Sequence, residues 1–207
     1  MPKRAVLIVG LVSVLTVGVV AAGVWWYGGR ERQAINAIQR FGGLAERYHD
    51  GPVTWVHLEN VKDADAALSY VSVFGKLDQL DLSDSGVTDA ALAKISGCTF
   101  LSWLDLSQTR ITDSGLEVLT DLPNLSRLDL ANTGITDSGL EYMRRFSGLR
   151  ILDLEGTAVT DAAFKHLDDL PNLSFLSVKN TRVSEAAARN FQARIRGRII
   201  VATDTGP

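Results

Sequence analysis

The sequence predicts an α/β repeat array preceded by one membrane-spanning helix. Three observations carry this. Apolar residues recur every 24 residues from Val53 onward, through six rows without an insertion. Inside each row the apolar spacing switches from two residues to three, from strand to helix. Ahead of the rows, Ala5 to Tyr27 is a run of 23 residues without a charge.

The chain has 207 residues, enough for one domain and an anchor. Its single cysteine, Cys98, excludes an internal disulfide and a cysteine-based zinc site. A formal charge of −3 gives no sign of nucleic-acid binding. The charge is unevenly placed. Lys3 and Arg4 precede the apolar run and all 24 acids follow it, so residues 28–207 hold 19 basic residues against 24 acidic ones, a net of −5.

The run AVLIVGLVSVLTVGVVAAGVWWY is long enough, as a helix, to span a hydrocarbon core. Trp25, Trp26 and Tyr27 suit the headgroup level at one end, and Lys3 and Arg4 mark the other. A cleaved signal peptide, with Val20-Ala21-Ala22 at the cut, is the rival reading. Length and the aromatic cluster favour an uncleaved signal-anchor over residues 1–28, with the N-terminus inside and the repeats on the extracytoplasmic side. Gly28-Gly29 breaks that helix. Arg30 to Phe41 predicts a second, amphipathic helix with Ile35, Ile38 and Phe41 on one side, ended by Gly42-Gly43. A short strand over Leu44 to His49 and a turn at Asp50-Gly51-Pro52 complete a juxtamembrane cap, residues 29–52.

The rows begin at residues 53, 77, 101, 125, 149 and 173. First, fourth and sixth positions are apolar throughout, as in Leu101, Leu104 and Leu106. Positions four and six share one face of a strand. Positions sixteen, nineteen and twenty-two, as in Leu116, Leu119 and Leu122, make one side of a short helix. Between them, Thr88, Thr112, Thr136, Thr160 and Ser184 are expected to cap each helix with a hydroxyl. The acid that follows, from Asp89 to Glu185, places negative charge at the positive helix end. The next two positions are only Ala, Ser or Gly, which lets neighbouring helices approach. A ninth-position hydroxyl, Ser85, Thr109, Thr133, Thr157 and Thr181, is expected to tie loop backbones of adjacent rows. The first and last rows depart from the pattern as caps do. Arg198 to Ala202 supply a seventh strand, closing a repeat domain of residues 53–202. Thr203 to Pro207 are expected to be disordered.

The pattern L-x-x-L-D-L-S-x-T-x-I-T-D-x-G-L stands at 101–116, with LSRLDLANTGITDSGL at 125–140 and LRILDLEGTAVTDAAF at 149–164. It resembles the leucine-rich-repeat family. The likeness is to short bacterial membrane-anchored repeat proteins more than to F-box-type ones, since no F-box is recognisable. The resemblance implies a curved solenoid with its parallel sheet on the concave face and short helices outside.

No phosphate loop, nucleophile elbow or zincin helix is present, so no enzyme and no cofactor is predicted. Cys98 falls in a helix-core position, as a buried and inert thiol would. Arg189, Arg194, Arg196 and Arg198 form a basic C-terminal patch, read as a solvated cap. The outward strand-side positions are acidic. Glu59, Asp78, Asp81, Asp84, Asp105, Asp129, Asp153 and Glu155 stand there against Arg127, Arg150 and Lys179. Trp55, Trp103, Ile151 and Phe175 add large groups beside them. The predicted function is a non-enzymatic interaction scaffold for a basic protein or peptide. Trp55, Trp103, Arg127, Phe175, Asp81, Asp105, Asp129 and Asp153 are its expected contact residues. The alternative is a metal-binding or metal-dependent hydrolytic protein using His57, Asp81 and Asp105. The full chain is expected to stay with membranes through carbonate washing; release of a fragment beginning near Gly23 would mean a signal peptide instead.

Overall fold

The computed structural model describes residues 29–47, 49, 51–195 and 199–204. Among them no helix is long and apolar enough to cross a membrane. The apolar run, Tyr48, Arg196 and Arg198 lie outside the described residues.

Helix α1 covers residues 29–40 and buries Ala34, Ala37 and Ile38, with Ile35 and Phe41 partly covered. Gly42, at φ 90°, ends it. Strand β1 (Leu44–Arg47) then pairs antiparallel with β2 (Val53–His57). Strands β3 (Gln79–Asp81), β4 (Trp103–Asp105), β5 (Arg127–Asp129), β6 (Ile151–Asp153), β7 (Phe175–Ser177) and β8 (Ile200–Ala202) follow in parallel, each beside the one before. β8 is the predicted seventh strand. The register repeats without a slip from β2 to β7: Val56, Leu80, Leu104, Leu128, Leu152 and Leu176 stand side by side, all fully buried. These short strands are extended by further rungs, such as Leu82 N–H to Asp105 O and Leu106 N–H to Asp129 O, both at 2.9 Å. The array is one continuous core of stacked Leu, Ile and Val.

Each strand ends in the same left-handed turn. The eighth position of all six rows, Asn60, Asp84, Gln108, Asn132, Gly156 and Asn180, has positive φ between 48° and 67°. Asn, Asp and Gly tolerate that region at least cost, which accounts for five of the six. At the end of the array, Asn180 N–H donates to Asp204 Oδ1 at 2.7 Å, so the segment expected to be disordered is held through residue 204.

The return segments are shorter and tighter than the predicted helices. Asp113–Leu119 is α-helical and Gly139–Arg145 is 3₁₀; other rows mix the two, and Glu185–Arg194 is the longest purely α-helical return, at ten residues. About ten residues must pack beside strands roughly 4.8 Å apart, closer than full helices stand. The tighter 3₁₀ coil fits that spacing.

The Thr column fills its expected role in part. Thr136, Thr160 and Ser184 accept N–H groups at the start of the return segment, but Thr88 and Thr112 make no side-chain cap bond. All five hydroxyls also donate to the acid of the preceding row. Thr112 N–H and Oγ1 reach Asp89 Oδ1 and Oδ2 at 2.9 and 2.6 Å. Thr136 meets Asp113 at 2.8 and 2.6 Å, and the pairs Thr88–Asp65, Thr160–Asp137 and Ser184–Asp161 repeat the clasp. The small positions make room for it. A Cβ on Gly115 or Gly139 would run into the carboxylate of Asp89 or Asp113. The ninth-position hydroxyls also differ from expectation: they donate within their own row, as Thr109 Oγ1 does to Leu106 O at 2.5 Å, closing the turn and not bridging rows.

Because the clasp satisfies a charged acceptor twice, Asp113→Ala should cost about 2–3 kcal/mol. Asp121→Ala, at an exposed position, should stay within about 0.5 kcal/mol in the same urea or thermal unfolding series. Equal melting of the two variants would remove the clasp from the list of stabilising contacts.

Candidate functional site

The inner face of the sheet carries two lines of side chains, because alternate residues of every strand point away from the core. One line runs Trp55, Gln79, Trp103, Arg127, Ile151, Phe175. The other runs His57, Asp81, Asp105, Asp129, Asp153, Ser177. All eight residues expected at an interface lie on these lines. They are half-buried, except Arg127, which is exposed.

The aromatic end is tightly built. The Trp55 ring is 4.2 Å from His57, centre to centre, and 5.8 Å from Trp103 in a T-shaped contact that closes over Gln79. The Arg127 guanidinium, one row on, lies 5.6 Å from the Trp103 ring centre. Trp55 Nε1, Trp103 Nε1 and His57 Nε2 are shielded from solvent and have no hydrogen-bond partner among the described residues. Phe175 stands apart, beyond Arg127 and Ile151.

The acidic line has a structural job as well. Asp81, Asp105, Asp129 and Asp153 each accept the N–H two residues on, from Ser83, Ser107, Ala131 and Glu155, at 2.9 to 3.1 Å. Ser83 and Ser107 add their hydroxyls at 2.7 Å. Each carboxylate thus starts the turn that follows its strand. Asp129, in the middle, feels its neighbours. Burial pushes its carboxyl up to about 6; the Ala131 N–H opposes this, Asp105 and Asp153 add to it, and Arg127 opposes it.

The metal alternative is not assembled. His57 Nε2 turns to Glu46 Oε1 at 3.6 Å, and Asp81 and Asp105 are engaged in their turns. Among the described residues no cluster of three His, Cys, Asp or Glu is placed to hold a metal ion. Cys98 is buried, and burial pushes its thiol up to about 11, which keeps it protonated at neutral pH. Of the eight strand-side acids, Asp84 belongs elsewhere. It sits in the left-handed turn and lines a separate polar groove of about 850 Å³ with Asn60, Gln108, Asn132, Lys62 and Arg110. In the C-terminal patch, Arg194 pairs with Asp168 at 2.6 Å and Arg189 folds back onto Glu185 O.

The Leucine Rich repeat family matches at residues 97–119 and again at 121–143, two consecutive rows of the array. These are leucine-rich repeats. Among solved structures, the chain is similar to an internalin, inlF, from Listeria monocytogenes. The two share 20% identity over 66% of this chain and 37% of that one, with a TM-score of 0.54. The chain therefore spans little more than a third of that internalin. Internalin C2 of Listeria monocytogenes aligns at 20% identity over 73% of this chain and 80% of that one, with a TM-score of 0.46. The PEPR1–AtPEP1 structure aligns at 19% over 67% and 20%, with a TM-score of 0.45. No curated protein matches the chain.

The repeat pattern could not supply what lies outside the rows. β1 brings Leu44 and Glu46 opposite His57 and Trp55, onto the same face. Its antiparallel pairing has no counterpart in the leucine-rich repeats that follow. Gln79, which stands between the two Trp residues in the register, is a polar residue in that column.

The raised carboxyl of Asp129 makes a signed prediction. Its folded pKa lies above the ordinary carboxylate value, so the folded protein binds the proton more tightly than the unfolded chain does. The stabilisation by the proton is full below about pH 4 and fades as pH rises through about 6. Asp129→Asn should therefore raise the melting temperature near neutrality and change it little near pH 4. An increment that is the same at both pH values would contradict the raised carboxyl.

Proposed function

We propose that this protein is a membrane-anchored, non-enzymatic interaction scaffold that receives a basic protein or peptide on its inner sheet face. The repeat domain stands on the extracytoplasmic side. The observation that carries the proposal is the adjacency, in strict register, of the Trp55–His57–Trp103–Arg127 cluster and the four-carboxylate line. Aromatic and Arg side chains supply most of the energy at hot spots, and charge sets orientation and on-rate. Burial raises the Asp129 carboxyl first and its carboxylate neighbours Asp105 and Asp153 add to it, and an incoming cation would offset that neighbouring charge. Leucine-rich repeats support the reading as a class, because a solenoid presents a rigid continuous surface. Nucleic acid fits poorly, since phosphate would meet like charge.

Crosslinking and pulldown from native membranes supply the partner. Trp103→Ala should then weaken its binding by at least about 2 kcal/mol. Asp105→Asn together with Asp129→Asn should slow association and flatten its dependence on salt. Unchanged affinity and salt response in a folded triple variant would move the search to the helical side.

A further inference from the structure

One cavity lies at the margin of this face and is not explained by the repeat. β1 pairs with β2 in steady register until Glu46, then shifts between Glu46 and Arg47. A bulge of this kind bends its strand and re-aims the side chains beside it. Here it opens a cleft of about 580 Å³ at the start of β2, walled by Trp55 and Gln79, with Glu46 and Asp78 as its acids. Gly51, Pro52 and Thr54 line the remaining side.

The charges in the cleft are not balanced. Arg47 lines it too, but its guanidinium is spent. Nη2 pairs with Glu31 at 2.9 Å and Nη1 donates to Gly51 O at 2.9 Å. Asp78 is fixed by the Ser102 hydroxyl, and Glu46 stands across from Trp55 in the β1–β2 register with its Oε1 3.6 Å from His57 Nε2. An indole wall between two carboxylates suits a planar cation better than a compact one. A guanidinium can lie flat on the ring and fork its donors to carboxylates on either side. His57 at 4.2 Å and Trp103 at 5.8 Å already pack on the Trp55 ring, so a guanidinium takes the part of the indole that lines the cleft.

We propose that the cleft beside Trp55 is a receptor for an arginine side chain of the partner, held by stacking on the indole and by Glu46 and Asp78. The inference rests on the reading of the inner face as a docking surface for a basic partner. It assigns that partner an anchoring arginine at the β1 margin, some distance from the Asp129 region.

The test uses the full chain in detergent micelles, with N-acetyl-arginine amide as probe and N-acetyl-citrulline amide as its neutral isostere. The indole N–H resonance of Trp55 is identified by its loss in Trp55→Phe. Arginine amide should shift that resonance saturably, and citrulline amide should not. Asp78→Asn and Glu46→Gln should each weaken the probe severalfold, while Asp121→Asn, at an exposed position away from the cleft, leaves it unchanged. Amide spectra that overlay the parent's establish that the variants are folded. A citrulline shift equal to the arginine shift, an absent shift, or an equal loss in Asp121→Asn would each overturn the assignment. If a captured partner still depends on Trp103 while the arginine probe fails, the docking surface stands and the arginine cleft falls.

Discussion

Five carboxylates keep the rows of this protein in step. Asp65, Asp89, Asp113, Asp137 and Asp161 each take the backbone N–H and the hydroxyl of a Thr or Ser 23 residues later. A carboxylate held by two donors of one residue has little freedom to slide, and its charge makes both bonds stronger than neutral ones. Everything on the inner face depends on that spacing. The strands repeat their register, so the leucines stack, so the outward residues fall into lines. At Gly115 and Gly139 the carboxylate lies where a Cβ would meet it, while Ala91, Ala163 and Ala187 hold the same position beside clasps of the same form.

Much of this was legible in the sequence, and the gaps have physical reasons. Strand positions, core columns and the final strand follow from period and alternation, which depend on burial and are therefore written in residue type. The role of Thr112 was not. Along the chain its nearest partners are the helix N–H groups just ahead, and its true partner, Asp89, is a whole row behind. A short polar residue chooses between local and distant bonds by geometry, and the sequence carries no geometry. The 3₁₀ returns were missed because a spacing of three serves either coil. The left-handed turns were missed, although Asn60, Asp84, Asn132, Gly156 and Asn180 favour that conformation, because Gln108 in the same column does not. At the site, the Trp and Asp lines were visible as columns, while Leu44 and Glu46 reach the face only through an antiparallel strand outside the period.

The inner face also shows how a structural requirement becomes an electrostatic property. Every strand from β3 to β6 ends in an Asp because its carboxylate begins the next turn. Four turns therefore set four carboxylates side by side about 4.8 Å apart, whatever their effect on one another. The raised carboxyl of Asp129 records that crowding together with its burial. A line of like charge thus arises from turn formation itself, whereas no turn requires the Trp cluster beside it.

The repeating bonds have a consequence for how such a chain changes length. Asp65 holds Thr88 as Asp89 holds Thr112, and the backbone rungs between rows follow the same rule. If residues 77–100 were deleted by recombination, Asp65 would meet Thr112 in the place of Thr88, Val56 would meet Leu104, and the reading frame of the solenoid would be preserved. Duplication of a row would be absorbed in the same way. The two ends tolerate no such edit, because β1 and Asp204 each complete a contact found once. Inheritance can therefore adjust the length of the acidic line in whole-row steps while both caps stay as they are.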